Sequence, residues 1–309
     1  MTTTLAIDLG GTKVDAALVA DDGTVDEASR TRRPTGRDRS AEELADAVRE
    51  AVRGALARLP AGAELAGAGI GSAGPIDIPR GAVMPYNLTP WHDGFPLRDL
   101  VQELVPGVPV TLRIDGLCIT LAEHWVGAAR GADDVMGMIV STGVGGGLIL
   151  GGRTVAGPTG NAGHIGHIEV AGFDDPCTCG GSGCLEAVAS GPNTVRWARE
   201  RGFAGETGED LGRAYAAGDG IAVAAVRRAG TAIGRAIASA SALLDLEIVA
   251  IGGGFANVTP DLFDLIREPI AQRVNSAYVR RVRVVPSTLS GDGPLIGAAA
   301  LVHRADLLG

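Results

Sequence analysis

The sequence predicts an α/β protein of two halves around a cleft, and three observations predict it. First, residues 3–9 and 13–20 read as strands joined by Gly10-Gly11, and Val135–Ser141 and Gly146–Leu150 repeat that plan around Thr142-Gly-Val-Gly145. Second, a third glycine turn, Gly252-Gly-Gly254, follows the apolar run Leu246–Ile251. Third, helical periodicity alternates with strands on both sides of a break near residue 115. The pattern is a duplicated architecture rather than a tandem repeat. It divides the chain into a small lobe, residues 1–115, and a large lobe, residues 116–292, with a last helix at about 293–309 packing back on the small lobe.

Each element has a local reason. A third strand follows at 24–32. Residues 40–58 read as an amphipathic helix, because Leu44, Val48, Val52 and Leu56 recur every four positions, and Ser40 with Glu43 makes a capping box at its start. Ala66–Gly71 is a short buried strand, and residues 76–95, with Pro79, Pro85 and Pro90, form loops. Val108–Ile114 is an apolar strand ending at Asp115, and Leu117–Ala128 is a helix. Residues 208–245 read as helical, followed by the strand 246–251, a helix at 260–274, a strand at 281–285 and a helix of small residues at 293–305.

Composition narrows the function. The 309 residues are 46% hydrophobic, enough for a sizeable core. A net charge of -9 argues against bulk binding to nucleic acid or anionic membrane. The start, Met1 to Asp8, has no basic region and lacks the long apolar run of a secretory signal. No apolar run approaches the ~18 residues of a membrane span. The expectation is a cytoplasmic protein.

Of 27 basic residues only one is lysine, and Lys13 closes the loop Asp8-Leu-Gly-Gly-Thr-Lys13. Glycines let backbone N–H groups approach phosphate oxygens, Thr12 adds a hydroxyl, and the ammonium of Lys13 suits a phosphate as a point charge. Asp8 ends a buried strand, where a carboxylate could hold Mg²⁺ directly or through water. An ordinary hairpin turn would also use Gly10 and Gly11. The second loop, Ser141-Thr-Gly-Val-Gly-Gly-Gly147, places Thr142 and Gly143 at a matching position, so that a nucleotide would be clamped between two hairpins. Gly253 and Gly254 would let a flat adenine lie against backbone.

Three of the four cysteines fall within eight positions: Cys177, Cys179 and Cys184. With His167 they complete a tetrahedral Cys₃His set for Zn²⁺. No further ligand is needed, so the site is closed and structural. Cys118 stands apart, in a helix, as packed core.

Taken together, these segments resemble the ROK family of actin-like sugar kinases. The resemblance runs along Asp8-Leu-Gly-Gly-Thr-Lys13, Gly69-Ile-Gly-Ser-Ala-Gly-Pro-Ile-Asp77, Ser141–Gly147, Gly163-His-Ile-Gly-His167, the cysteine knot through Glu186, and Gly252–Gly254. It implies an actin-like (ribonuclease H-like) fold, ATP and Mg²⁺ as nucleotide and ion, a structural Zn²⁺, a sugar as second substrate, and a homodimer. By the same resemblance Asp115 is the catalytic base, and Asn87, His164, His167 and Glu186 face the sugar. A carboxylate at the carboxyl end of a buried strand stands where α/β proteins place their ligands.

Two positions depart from the family pattern. The family's Asn before the base is Ile114 here, and the Glu usual in its glucokinases is His164, as in bacterial N-acetylmannosamine kinases. An apolar chain cannot replace the hydrogen bond that Asn gives a sugar hydroxyl. The sequence therefore favours a modified hexose, N-acetylmannosamine or kanosamine, phosphorylated at the 6-OH, with glucose as the alternative. Two rival readings are a sugar-responsive regulator and a non-catalytic sensor. The regulators carry a helix-turn-helix domain before the first glycine loop, which here begins at residue 8.

Overall fold

The computed structural model describes residues 2–289 and 291–309. In chain order the first half contains β1 (Thr3–Leu9), β2 (Lys13–Ala20), β3 (Val25–Pro34), α1 (Ala41–Leu56), β4 (Leu65–Ser72), the short β5 (Ile76–Asp77) and β6 (Ala82–Val83), α2 (Leu97–Leu104), β7 (Val110–Ile114) and α3 (Asp115–Trp125). The second contains β8 (Val135–Val140), β9 (Val144–Leu150), β10 (Arg153–Thr154), α4 (Leu185–Ala189), α5 (Gly191–Arg199), α6 (Gly208–Ala216), α7 (Gly220–Leu244), β11 (Ile248–Gly252), α8 (Leu262–Ala271), α9 (Ala277–Arg280), β12 (Arg283–Pro286) and α10 (Gly293–His303).

Two five-stranded sheets share one plan. Their orders are β3-β2-β1-β4-β7 and β10-β9-β8-β11-β12. In each, an antiparallel hairpin (β1–β2, β8–β9) sits beside strands that run parallel (β1–β4–β7, β8–β11–β12). The parallel strands end on the same side as the hairpin turns, which brings the glycine loops and the end of β7 to the carboxyl edges of the sheets.

The capping box forms as the sequence predicts: the Ser40 hydroxyl accepts from the Glu43 amide, and Glu43 accepts from the Ser40 amide. Leu44, Val48 and Val52 of α1 are fully buried in the core of the first sheet. The helix expected over 208–245 is two helices, because Gly218 takes φ +79° and Asp219 caps a new helix through the amides of Ile221 and Ala222. The helix expected from Leu117 starts two residues earlier, so Asp115 is its first residue. The segment 76–95 is not wholly irregular, since β5 and β6 pair within it.

Helix α10 packs against β1, β4 and α3. A Cβ at Gly69 would run into the Ala298 carbonyl, and one at Gly297 into the Cys118 backbone. Cys118 is buried, 1% exposed, with Leu121 and Leu301 in the cluster beneath.

Candidate active site

Asp115 is held at the junction of β7 and α3. Its Oδ1 accepts from the Gly116 amide at 2.7 Å, which fixes the carboxylate at the start of the helix. The first turn of α3 is pressed against the second hairpin. A Cβ at Gly147 would meet the Gly116 carbonyl oxygen at 2.7 Å, and one at Gly145 would lie 3.6 Å from Asp115 Oδ1. The glycine run of the second loop therefore admits a helix as well as leaving backbone free for a phosphate. The sequence reading had assigned it only the second task.

Electrostatics single out the same group. Burial raises the Asp115 carboxyl to about 7; the negative charge of Asp8 adds to this, the Gly116 hydrogen bond opposes it, and Glu186 adds a smaller push. Asp8 is raised to about 6, again by burial first, with Lys13 opposing and Asp15 reinforcing. Asp8, Asp115 and Glu186 thus form one group of carboxylates.

Glu186 stands in the first turn of α4, two residues after Cys184. Its Oε2 accepts from the Val144 amide at 2.9 Å, tying the knot segment to the second hairpin beside Gly143. On the other side of the knot His164 and His167 meet edge to face, with ring centroids 4.6 Å apart. Burial, followed by the neighbouring His167, lowers His164 to about 4, so its imidazole is neutral at physiological pH. The exposed Tyr86 ring stands edge-on to His167 at 5.3 Å. Asn87 is exposed and leans over the first glycine loop, where a Cβ at Gly11 would strike its amide.

The departures from the family pattern are neighbours. A Cβ at Gly74 would lie 2.7 Å from Ile114 Cδ1 and 3.3 Å from His164 Cε1. Ile114 is 1% exposed, so its side chain belongs to the wall beneath the site.

The ligand atoms of His167, Cys177, Cys179 and Cys184 all lie within 4.8 Å of one another. Cys177 Sγ is 3.6 Å from His167 Nδ1, and Cys179 Sγ is 3.6 Å from Cys184 Sγ. Tetrahedral zinc with Zn–S bonds of about 2.3 Å needs edges of roughly 3.7 Å, so this donor set fits Zn²⁺. Because Nδ1 faces the thiols, Nε2 of His167 is left for another partner. Asp175 and Arg228 form an ion pair that joins the knot to α7.

The first hairpin carries a charged group that the sequence reading missed. Asp15 faces Asp8 across β1 and β2 in the strand register. Its Oδ2 takes Arg32 at 2.6 Å, Arg30 at 3.3 Å and Lys13 at 3.7 Å. The alternation of β2 carried the signal, since it sets Asp15 on the face of Lys13 and opposite Asp8. At the third glycine turn, Gly253 has φ +101° and backs onto the Val140 backbone, and Gly254 sits beside Ser141. This turn therefore adjoins the loop bearing Thr142 and Gly143.

The profile of the ROK family matches residues 4–305. The chain belongs to the ROK family. A glucokinase of Thermotoga maritima is 32% identical over 97% of both chains. An N-acetylmannosamine kinase of Escherichia fergusonii is 33% identical, over 99% of this chain and all of that one. Among solved structures, a ROK family glucokinase from Streptomyces griseus in complex with glucose and AMPPNP superposes with a TM-score of 0.81, is 31% identical, and is covered to 99% by 98% of this chain. The two sheets are thus the duplicated, actin-like α/β architecture of the ROK family.

Proposed function

We propose that this chain is an ATP-dependent sugar kinase that transfers the γ-phosphate of ATP to a hydroxyl, the 6-OH, of a hexose or hexosamine, with Asp115 as base. One observation carries the reading: a carboxyl raised to about 7 stands at the end of β7, among Asp8, Glu186 and the second glycine hairpin. Such a group is about half ionised at pH 7 and basic enough to take a proton. The kinase names of the ROK relatives and the AMPPNP complex of the Streptomyces griseus protein support ATP as donor.

In this mechanism Gly10, Gly11, Thr12 and Lys13 hold the phosphates from one lobe, and Thr142 and Gly143 from the other. Gly253 and Gly254 receive the adenine. The free Oδ2 of Asp115 accepts the proton of the attacking hydroxyl while Gly116 holds Oδ1. Asn87, His164, His167 Nε2 and Glu186 orient the sugar. Asp8 offers a carboxylate for Mg²⁺, which would neutralise charge on the transferred phosphoryl group. Zn²⁺ on His167, Cys177, Cys179 and Cys184 would fix the knot from which His167 and Glu186 project. The lobes, residues 1–115 and 116–292, would close on the substrates and exclude water. A homodimer and a cytoplasmic location complete the reading, and light scattering tests the first.

Asp115→Asn tests the base. Turnover should fall by at least 10²–10⁴-fold, and near-normal phosphorylation by this variant sinks the assignment. In the native protein kcat/KM should fall as pH drops below about 7 and the base takes up a proton. Stability should move the other way. A carboxyl raised in the folded state from an ordinary value of about 3.9 favours folding at low pH, and that contribution is lost as pH rises through about 7. At pH 8 the Asn variant should therefore melt at or above the native temperature.

The sugar is read from the wall made by Ile114 and His164. An apolar chain and a neutral imidazole replace two polar partners of plain hydroxyls, which favours an acylamino or amino sugar, N-acetylmannosamine before kanosamine and glucose. A coupled assay across hexoses and hexosamines should rank N-acetylmannosamine at least tenfold above glucose in kcat/KM. A panel led by glucose overturns this choice while leaving the kinase intact.

A further inference from the structure

Along β7 lies a cavity of about 220 Å³ whose walls include none of the residues assigned above to substrate, nucleotide or metal. Its walls include Ile78, Arg98, Thr111, Arg113 and Leu308. It sits where the two halves of the chain meet. The Ile78 amide donates to the Thr159 carbonyl, and the tail is pinned to β10 by Arg153 on the Leu308 carbonyl at 2.7 Å and by the Gly309 amide on Thr154 at 3.0 Å. β7 is the edge strand of its sheet, so backbone polar groups along it are not all used by a neighbour.

The guanidinium of Arg113 is the anomaly in this wall. Its Nη1 donates to the Leu112 carbonyl at 2.9 Å, and its buried Nε has no partner. Among the described residues no carboxylate pairs with it, in contrast to Arg30, which is similarly enclosed and has Asp15, Glu27 and Asp292. Burial pulls Arg113 below its ordinary value, with only Cys118 opposing. Half-burying a charge without a counter-charge is costly, and a guanidinium fork matches an oxyanion. Arg98, in the same wall, rests over Gly81 and holds the Ile78 carbonyl and Asp99 only at 3.4 Å each. It can therefore turn to a second anion at little cost.

We propose that Arg98 and Arg113 form an anion site for a phosphate or phosphate monoester, separate from the catalytic cleft. A cavity of this size is below that of drug-sized ligands and suits a small oxyanion. Two arginines supply charge-assisted donors from α2 and β7. Arg113 is two residues from Asp115 on the same chain segment, so an occupied site would brace the strand that carries the base.

Calorimetric titration with inorganic phosphate tests this, with the cleft filled by AMPPNP so that the glycine hairpins do not report. A separate titration with AMPPNP monitors the cleft, so failure of this site is distinguishable from failure of the kinase reading. The native protein should bind about one phosphate, and Arg113→Met and Arg98→Gln should each weaken it at least tenfold while AMPPNP still binds. If Arg113→Met does not fold, Arg98→Gln decides. A second arm with glycerol 3-phosphate, a monoester lacking the sugar ring, separates the sources: binding tighter than phosphate and weakened by Arg98→Gln identifies a monoester, and weaker binding identifies the free ion. No phosphate binding with the cleft filled, or binding untouched by both substitutions, overturns the site.

Discussion

The two hairpins share a topology and differ in chemistry. β1–β2 is lined by charge: Asp8, Lys13 and Asp15 stand on it, with Arg30 and Arg32 alongside on β3. β8–β9 has no charged residue between Val135 and Leu150; its chemistry is backbone and small side chains. The first hairpin can attract a nucleotide phosphate at a distance, because its ammonium is 41% exposed. The second acts only at contact, by letting α3 and Glu186 approach its backbone. One duplicated unit has thus become an electrostatic half and a steric half.

The largest effect should come from the steric half. Gly147→Ala places a methyl against the backbone of Gly116 and Leu117, where neither neighbour has a flexible end to yield. Overpacking of this kind costs about 1–3 kcal/mol. A shift of about 1 Å in the base it supports can cost roughly 100-fold in rate. The expected result is a loss of about 100-fold in kcat with a smaller change in the KM for ATP. Gly143→Ala is the comparison: its methyl meets the end of a side chain, Glu186 Oε2, at 2.6 Å, so kcat should fall less, with the loss falling on the KM values because Gly143 and Glu186 lie in the proposed ligand sites. Equal losses in the two variants would remove the distinction between packing and contact with ligand.

The electrostatic half should respond through ATP. Lys13→Met removes an ammonium that a phosphate would replace Asp15 in binding, worth about 1.5–3 kcal/mol for a charged hydrogen bond. KM for ATP should rise about 10–100-fold, with a smaller change in kcat, and the salt dependence of kcat/KM should flatten. A variant with native KM for ATP would mean that Lys13 serves Asp15 alone.

How much of this was legible in the sequence depends on the range of the contact. The hairpins, the capping box at Ser40 and the Cys₃His set follow from neighbours in the chain, and these stood out. The break between α6 and α7 was missed, since Gly218 and Asp219 interrupt a pattern whose apolar periodicity continues on both sides. α2, only eight residues long, lies just beyond the loop-rich stretch 76–95, where the sequence carries no pattern long enough to announce a helix. What the sequence could not supply was registration between distant segments. Nothing in Gly145–Gly147 says that residues 115–117 lie on it, and nothing in Arg113 says that Arg98 lines the same cavity. The neighbouring of Ile114 and His164, fifty positions apart, is of the same kind.

The smallest effect on catalysis should come from Asp15→Asn, and it is the sharpest test of the division. Burial alone would push the Asp15 carboxyl up, yet hydrogen bonds from Arg32 and Arg30 hold it below its ordinary value. Its stabilising contribution is therefore present above the ordinary carboxylate range and is lost as pH falls through the lowered value. Removing the charge leaves Arg30, whose side chain is only 18% exposed, with Glu27 and Asp292, while Arg32, 53% exposed, returns to water. The cost should be about 1–3 kcal/mol at neutral pH. For a chain of this size that lowers Tm by a few degrees. Losing the carboxylate opposite Asp8 also leaves Asp8 facing Lys13, Arg30 and Arg32 alone, which favours its ionised form. That gain opposes the disorder left around Lys13, so kcat/KM should change by less than about fivefold. If instead Asp15→Asn cripples turnover at unchanged Tm, Asp15 acts on the phosphate directly, and the first hairpin holds two functional carboxylates rather than one and its neutralised neighbour.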